Sequence, residues 1–130
     1  MNYEAVIFDI DGTLIDYDYS QYYSLDKLLD IIPWNNSTRP STKEVFDYWY
    51  KEKNEFYNRP DSNKINQYDQ QKIILENVLA NWKIIVDSTQ LTNTLFDIYE
   101  TSWRAYPDVL ECLFDMNKFK LCIISNGDSK

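Results

Sequence analysis

Two short apolar runs, AVIF at residues 5–8 and LCII at residues 121–124, constrain the fold of this chain more than any other feature. Each is an unbroken apolar block too short for a helix, the pattern of a parallel strand buried on both faces. Between them the apolar residues recur at helical spacing. Leu25, Leu28, Leu29 and Ile32 share one helix face, and Pro33 ends that helix. Ser41 and Glu44 form a capping box ahead of Val45, Phe46 and Trp49. Ile74, Leu75, Val78, Leu79 and Trp82 mark a third helix, and Leu91, Leu95, Ile98, Tyr99 and the pair Ser102 and Trp103 a fourth. In YPDVLECLFDMNKFK, Pro107 suits a first helical position and Val109, Leu110, Leu113 and Phe114 form an apolar stripe. NNSTRPS and NRPDSNKINQ read as loops. A crossover between neighbouring parallel strands needs only a dozen or so residues. The economical architecture is therefore an α/β core, residues 1–15 and 106–130, with a helical bundle, residues 16–105, inserted after the first strand.

Composition narrows the chemistry. Hydrophobic residues make up 44% of the 130 and aromatic residues 16%, a globular composition. Twenty-one acidic against thirteen basic residues give a net charge of −8. With no cluster of Lys and Arg, the chain lacks the footprint of a nucleic-acid binder. No apolar run approaches a membrane span. Cys112 and Cys122 lie in apolar stretches, and Glu4 and Asp9 interrupt any signal-like start, so two buried, reduced thiols in a cytoplasmic protein are expected. Histidine is absent. That removes every Ser-His and Cys-His mechanism, and leaves carboxylates, hydroxyls or a hard metal.

The two glycines of the chain, Gly12 and Gly127, each fall just past one of the apolar runs. In open α/β sheets ligands bind outside the carboxyl ends of the strands, and glycine there permits a sharp turn close to a ligand. At the first exit stand Asp9 and Asp11, which an extended strand would point the same way. Two converging carboxylates hold Mg²⁺, or divide the work of nucleophile and general acid; an ordinary Asp-Gly turn is the plainer reading. The second exit reads Ser125, Asn126, Gly127, Asp128, a hydroxyl followed by a turn able to receive an anion. A calcium loop counted from Asp9 fails, because its sixth and twelfth places hold Leu14 and Ser20.

VIFDIDGTLID closely resembles the first motif of the haloacid dehalogenase superfamily, and YPDVLECLFDMNKFKLCIISNGD resembles the segment leading into its second. The intervening helices are similar to the helical cap many members insert there. The resemblance implies a partial Rossmann-like core of parallel strands with an α-helical cap, and Mg²⁺-dependent hydrolysis of a small phosphorylated metabolite. Under it Asp9 is the nucleophile that becomes an aspartyl-phosphate, and Asp11 the acid and base. Both serve Mg²⁺, Asp11 through its backbone carbonyl. Gly12, Thr13, Ser125, Asn126 and Gly127 fall around the phosphate. Dehalogenases of the superfamily usually carry another residue where Asp11 stands, which favours phosphate chemistry; a 2-haloacid dehalogenase is the alternative. Tyr17, Tyr19, Tyr22 and Tyr23 are candidates for the cap lining, with plain packing the competing role.

The family's later motifs, a basic residue and an acidic pair, have no assignable counterpart before Lys130. The expectation is a truncated core with an open two-stranded sheet, completed by a further C-terminal segment, a partner or oligomerisation. If it is not completed, an impaired fragment serving as a protein-binding module is the third reading.

Overall fold

The computed structural model describes residues 3–34 and 38–125. Strand β1, Ala5–Asp9, pairs in parallel with β2, Lys120–Ile124, with Ala5 opposite Lys120 and Asp9 opposite Ile124. Four long helices separate them: α1 (Tyr17–Ile31), α2 (Thr42–Tyr57), α3 (Gln67–Asn81) and α4 (Ser88–Thr101). A shorter helix, α5 (Val109–Asp115), leads into β2.

Local chemistry sets the helix ends. Asp16 caps α1 by accepting from the Tyr19 amide at 3.1 Å. Ile32, which precedes Pro33, is pushed to extended backbone and ends the helix. Ser41 and Glu44 form the reciprocal capping box of α2. Asn66 and Asp87 cap α3 and α4 through their side chains. The polar run before α3 contains a 3₁₀ turn, Ser62–Lys64, where a plain loop was expected. At the end of α3 the Lys83 amide donates to Ala80 O at 3.0 Å and the Ile84 amide to Leu79 O at 3.0 Å, which places Lys83 at φ 57°. This is a Schellman stop with lysine in the usual glycine position.

The bundle closes on itself, α1 packing on α2 and α4, and α3 on the same two helices. Its core holds Leu25 and Leu28 of α1, Trp49 and Phe56 of α2, Ile74 and Leu75 of α3, and Leu95 of α4. That is the main buried core of the described residues. The strands form the open two-stranded sheet that a truncated core leads one to expect. Continuous apolar runs imply burial on both faces, yet Ile7, Ile123 and Ile124 are all exposed. On α5 the predicted stripe is divided, with Val109 buried and Leu113 half-buried but Leu110 75% and Phe114 74% exposed. Cys122, expected to be buried, is exposed for the same reason, and Cys112 is half-buried. Two strands and one short helix bury Val109 and half-bury Val6, Phe8 and Leu113, and leave the rest of their apolar surface without a layer over it among the described residues. Pro107 is also displaced from its expected place. It sits inside a turn closed by the Val109 amide on Tyr106 O at 3.1 Å, where its fixed φ suits the second turn position, and α5 starts two residues later.

Candidate functional site

The bundle joins the sheet through two crossing segments. Ile15 bridges Ala105 in antiparallel fashion. The Asp16 amide donates to Arg104 O at 3.0 Å, and the Tyr106 amide to Leu14 O at 3.2 Å. Arg104 Nη2 also donates to Asp16 Oδ2 at 2.7 Å, and its guanidinium lies over the Tyr19 ring. The Asp16 carboxyl is held below its ordinary range, first by the Arg104 hydrogen bond and then by the Tyr19 amide. Among the described residues no helix is long and apolar enough to cross a membrane.

Between β1 and this joint runs the D-x-D-G stretch. The strand ends at Asp9 and the chain bends at Ile10, so the alternation expected to align Asp9 with Asp11 stops short of Asp11. The amides of Thr13, Leu14 and Ile15 all converge on Ile10 O, and the Gly12 amide donates to Ile15 O at 2.9 Å. Gly12 has φ 75°, and a Cβ added to it would meet nothing within 4 Å. The glycine is therefore required by its left-handed backbone, with no crowding involved.

Asp11 faces the bundle. Its Oδ1 accepts from the Tyr99 hydroxyl of α4 at 3.4 Å. Burial, and then the nearby Asp11 charge, push the Tyr99 hydroxyl well above the ordinary phenol range, so it stays a donor. Tyr17 meets Tyr99 edge to face, with ring centroids 6.0 Å apart. Lys53 of α2 donates to the Tyr17 hydroxyl at 2.6 Å from a half-buried position, and burial lowers its pKa against the opposing pull of Asp18 and Asp11. Tyr50 donates to Asp18 beside it, and burial first, then that bond, push its hydroxyl up to about 12.

Two cavities meet at Asp11. A small one, about 410 Å³, lies against Gly12, Tyr17, Asp18 and Tyr106. The larger, about 790 Å³, extends into the bundle between α1, α3 and α4 and takes in Tyr17, Gln21, Gln71, Tyr99 and Ser125. Thus the structure brings Asp11, Gly12, Tyr17 and Ser125 to two cavities that share Asp11 and Tyr17 as walls. Asp9 and Thr13 lie on the same stretch but line neither cavity among the described residues. Tyr19, Tyr22 and Tyr23 pack elsewhere, Tyr19 with Arg104 and Tyr23, and Tyr22 with Phe46. Asn126 and Gly127 lie outside the described residues. Sequence reasoning passed over Gln21, Lys53, Gln71 and Tyr99 as site residues. For the two glutamines a signal existed: each sits four residues before a leucine of the buried stripe, Leu25 and Leu75, where an amide is out of place.

Asp9 and Asp11 supply only oxygen donors. Among the described residues no group of three acidic, Cys or His side chains gathers to hold a metal. Mg²⁺ is commonly bound by one or two carboxylates with waters and substrate phosphate completing its shell, and the donor set fits that need.

A small α/β core, a helical bundle in the crossover and carboxylates at the exit of the first strand define a capped α/β hydrolase fold. The chain belongs to the haloacid dehalogenase-like hydrolase family, whose model matches residues 3–130. Among solved structures it is similar to the putative HAD-hydrolase YfnB from Bacillus subtilis bound to magnesium, with a TM-score of 0.82 and 16% identity over 98% of this chain and 54% of that one. It is also similar to L-2-haloacid dehalogenase from Xanthobacter autotrophicus, with a TM-score of 0.67 and 21% identity over 98% of this chain and 48% of that one. Another L-2-haloacid dehalogenase aligns with a TM-score of 0.69 and 19% identity, over 98% and 54% of the two chains. The chain spans about half the length of these structures. A search among curated proteins found no match.

Proposed function

We propose that this family member hydrolyses phosphate monoesters of small metabolites with Mg²⁺, through an aspartyl-phosphate on Asp9. The observation that carries the reading is Asp11, which stands where the strand exit opens into the bundle cleft, hydrogen-bonded by Tyr99. In this reading an Asp9 carboxylate oxygen attacks phosphorus and the ester oxygen leaves, taking a proton from the Asp11 carboxyl. Asp11, now ionised, removes a proton from water as that water attacks the phosphorus. The Asp9–phosphate bond breaks, inorganic phosphate departs and both aspartates are restored. Ser125 donates its hydroxyl to a phosphoryl oxygen, and Gly12 and Thr13 shape the turn beside it. Their own amides are occupied by Ile15 O and Ile10 O, which leaves charge compensation to other groups. Mg²⁺ held by Asp9 and Asp11 would supply that compensation. An acidic chain with net charge −8 needs such a counter-charge to accept an anion.

The test is release of phosphate from a generic aryl phosphate, with and without Mg²⁺, beside Asp9→Asn. Metal-dependent turnover absent from the variant supports the reading. Equal turnover by Asp9→Asn, or release of halide from a 2-haloacid without Mg²⁺, contradicts it.

A further inference from the structure

The larger cavity carries a statement about the substrate beyond its phosphate. Gln21, on α1, is 8% exposed and lines this cleft, and its side-chain amide has no hydrogen-bond partner among the described residues. Gln71, on α3, is equally buried and lines the same cleft. Among the described residues its side-chain amide makes one hydrogen bond, a long one donated to the Tyr57 hydroxyl at 3.5 Å. A mostly buried glutamine whose amide opens onto a cleft keeps donors and acceptors available to whatever fills that cleft. Two under-used amides on one cleft point to a ligand that supplies the missing donors and acceptors.

The remaining walls define that ligand's character. Tyr68, Phe96 and Trp103 offer flat apolar surface, suited to the face of a ring. Asp11 and Asp97 add carboxylates, and no Lys or Arg lines the cleft among the described residues. A substrate with a second carboxylate or phosphate in this space would meet carboxylates on the wall, and the nearest lysine described above, Lys53, lies behind Tyr17 and is engaged with its hydroxyl. The volume, about 790 Å³, accommodates a ring system of metabolite size.

Building on the phosphatase reading above, we infer that the alcohol half of the ester is uncharged and polyhydroxylic, a sugar or a nucleoside, and that the Gln21 and Gln71 amides hydrogen-bond it inside the bundle. Both glutamines act on the substrate's remote part and touch none of the reacting atoms. Their role is specificity.

The experiment needs no turnover. Nitrogen-labelled protein is titrated with glucose, adenosine and malonate while the side-chain amide resonances of Gln21 and Gln71 are followed, assigned by their loss in Gln21→Met and Gln71→Met. Movement of both pairs with glucose or adenosine, and none with malonate, is expected; which neutral ligand acts separates sugar from nucleoside. Each variant should weaken that binding about tenfold, the worth of one neutral hydrogen bond. No movement with either neutral ligand, movement with malonate, or unaltered affinity in both variants overturns the inference. Because the ligands carry no phosphate, loss of the phosphatase reading shows in the turnover assay alone and is not confused with this result.

Discussion

Asp16 and Arg104 hold each other twice, the Asp16 amide donating to Arg104 O at 3.0 Å and Arg104 Nη2 to Asp16 Oδ2 at 2.7 Å. This pair fastens the point where the bundle leaves the sheet and returns to it. The Asp16 carboxyl titrates below its ordinary value of 3.8, so the ionised form is favoured in the folded protein. Its contribution to stability is therefore complete above that value and is lost as pH falls through the depressed one. Asp16→Asn keeps a helix cap but loses the ion pair. Urea denaturation across pH should show the parent more stable than Asp16→Asn at neutral pH, with the gap closing in acid. A gap independent of pH would contradict this.

Trp49 is 1% exposed at the centre of the bundle, and its Nε1 has no partner there among the described residues. Trp49→Ala should cost about 3–5 kcal/mol in chemical denaturation, the usual effect of emptying a large aromatic site. Trp49→Phe should cost far less, because it keeps much of the ring and removes a buried donor that nothing satisfies. Equal losses in the two variants would mean that the Nε1 group is paired.

Lys83 occupies a left-handed backbone position, φ 57°, that an L side chain adopts at a cost and glycine does not. Lys83→Gly should stabilise the protein by about 0.5–1 kcal/mol, read as a higher denaturation midpoint with an unchanged slope. A lower midpoint would show that the lysine side chain contributes more than its backbone strain removes.

Gly12 presents the converse case. With φ 75° and open space where a Cβ would stand, Gly12→Ala introduces backbone strain alone. About 1–2 kcal/mol of destabilisation is expected in equilibrium unfolding. A neutral substitution would mean that this turn relaxes freely and is not the fixed element beside Asp11 described above.

The bundle was legible because its signals are local. Leu25, Leu28 and Leu29 announce a buried face by their spacing, and Ser41 with Glu44 announces a helix start by chemistry that operates within one turn. The strands and their parallel pairing were legible from AVIF and LCII, and an uncovered apolar face followed from there being two strands alone; which of their residues stand open did not follow from the runs. An apolar run states what a strand prefers to be covered by, and the covering layer is a matter of which other segments are packed on it. Lys83 was illegible because its left-handed backbone follows from the Schellman bonds and leaves no mark in residue type. At the site, Asp11 and Gly12 were visible as a motif, whereas Tyr99 reaches Asp11 from 88 residues away and appeared in the sequence as one more aromatic on a helix face. Lys53 was hidden for the same reason, its bond to Tyr17 joining α1 to α2. Contacts of this kind depend on how helices pack, which spacing along one helix does not specify.

The measurement that bears most directly on the central claim is capture of the covalent intermediate. Protein mixed with an aryl phosphate and Mg²⁺, quenched in acid and digested, should yield a phosphorylated peptide with the modification on Asp9, and Asp9→Asn should yield none. Phosphate release by the parent with no phosphorylated Asp9, or with the modification on another residue, would contradict the account.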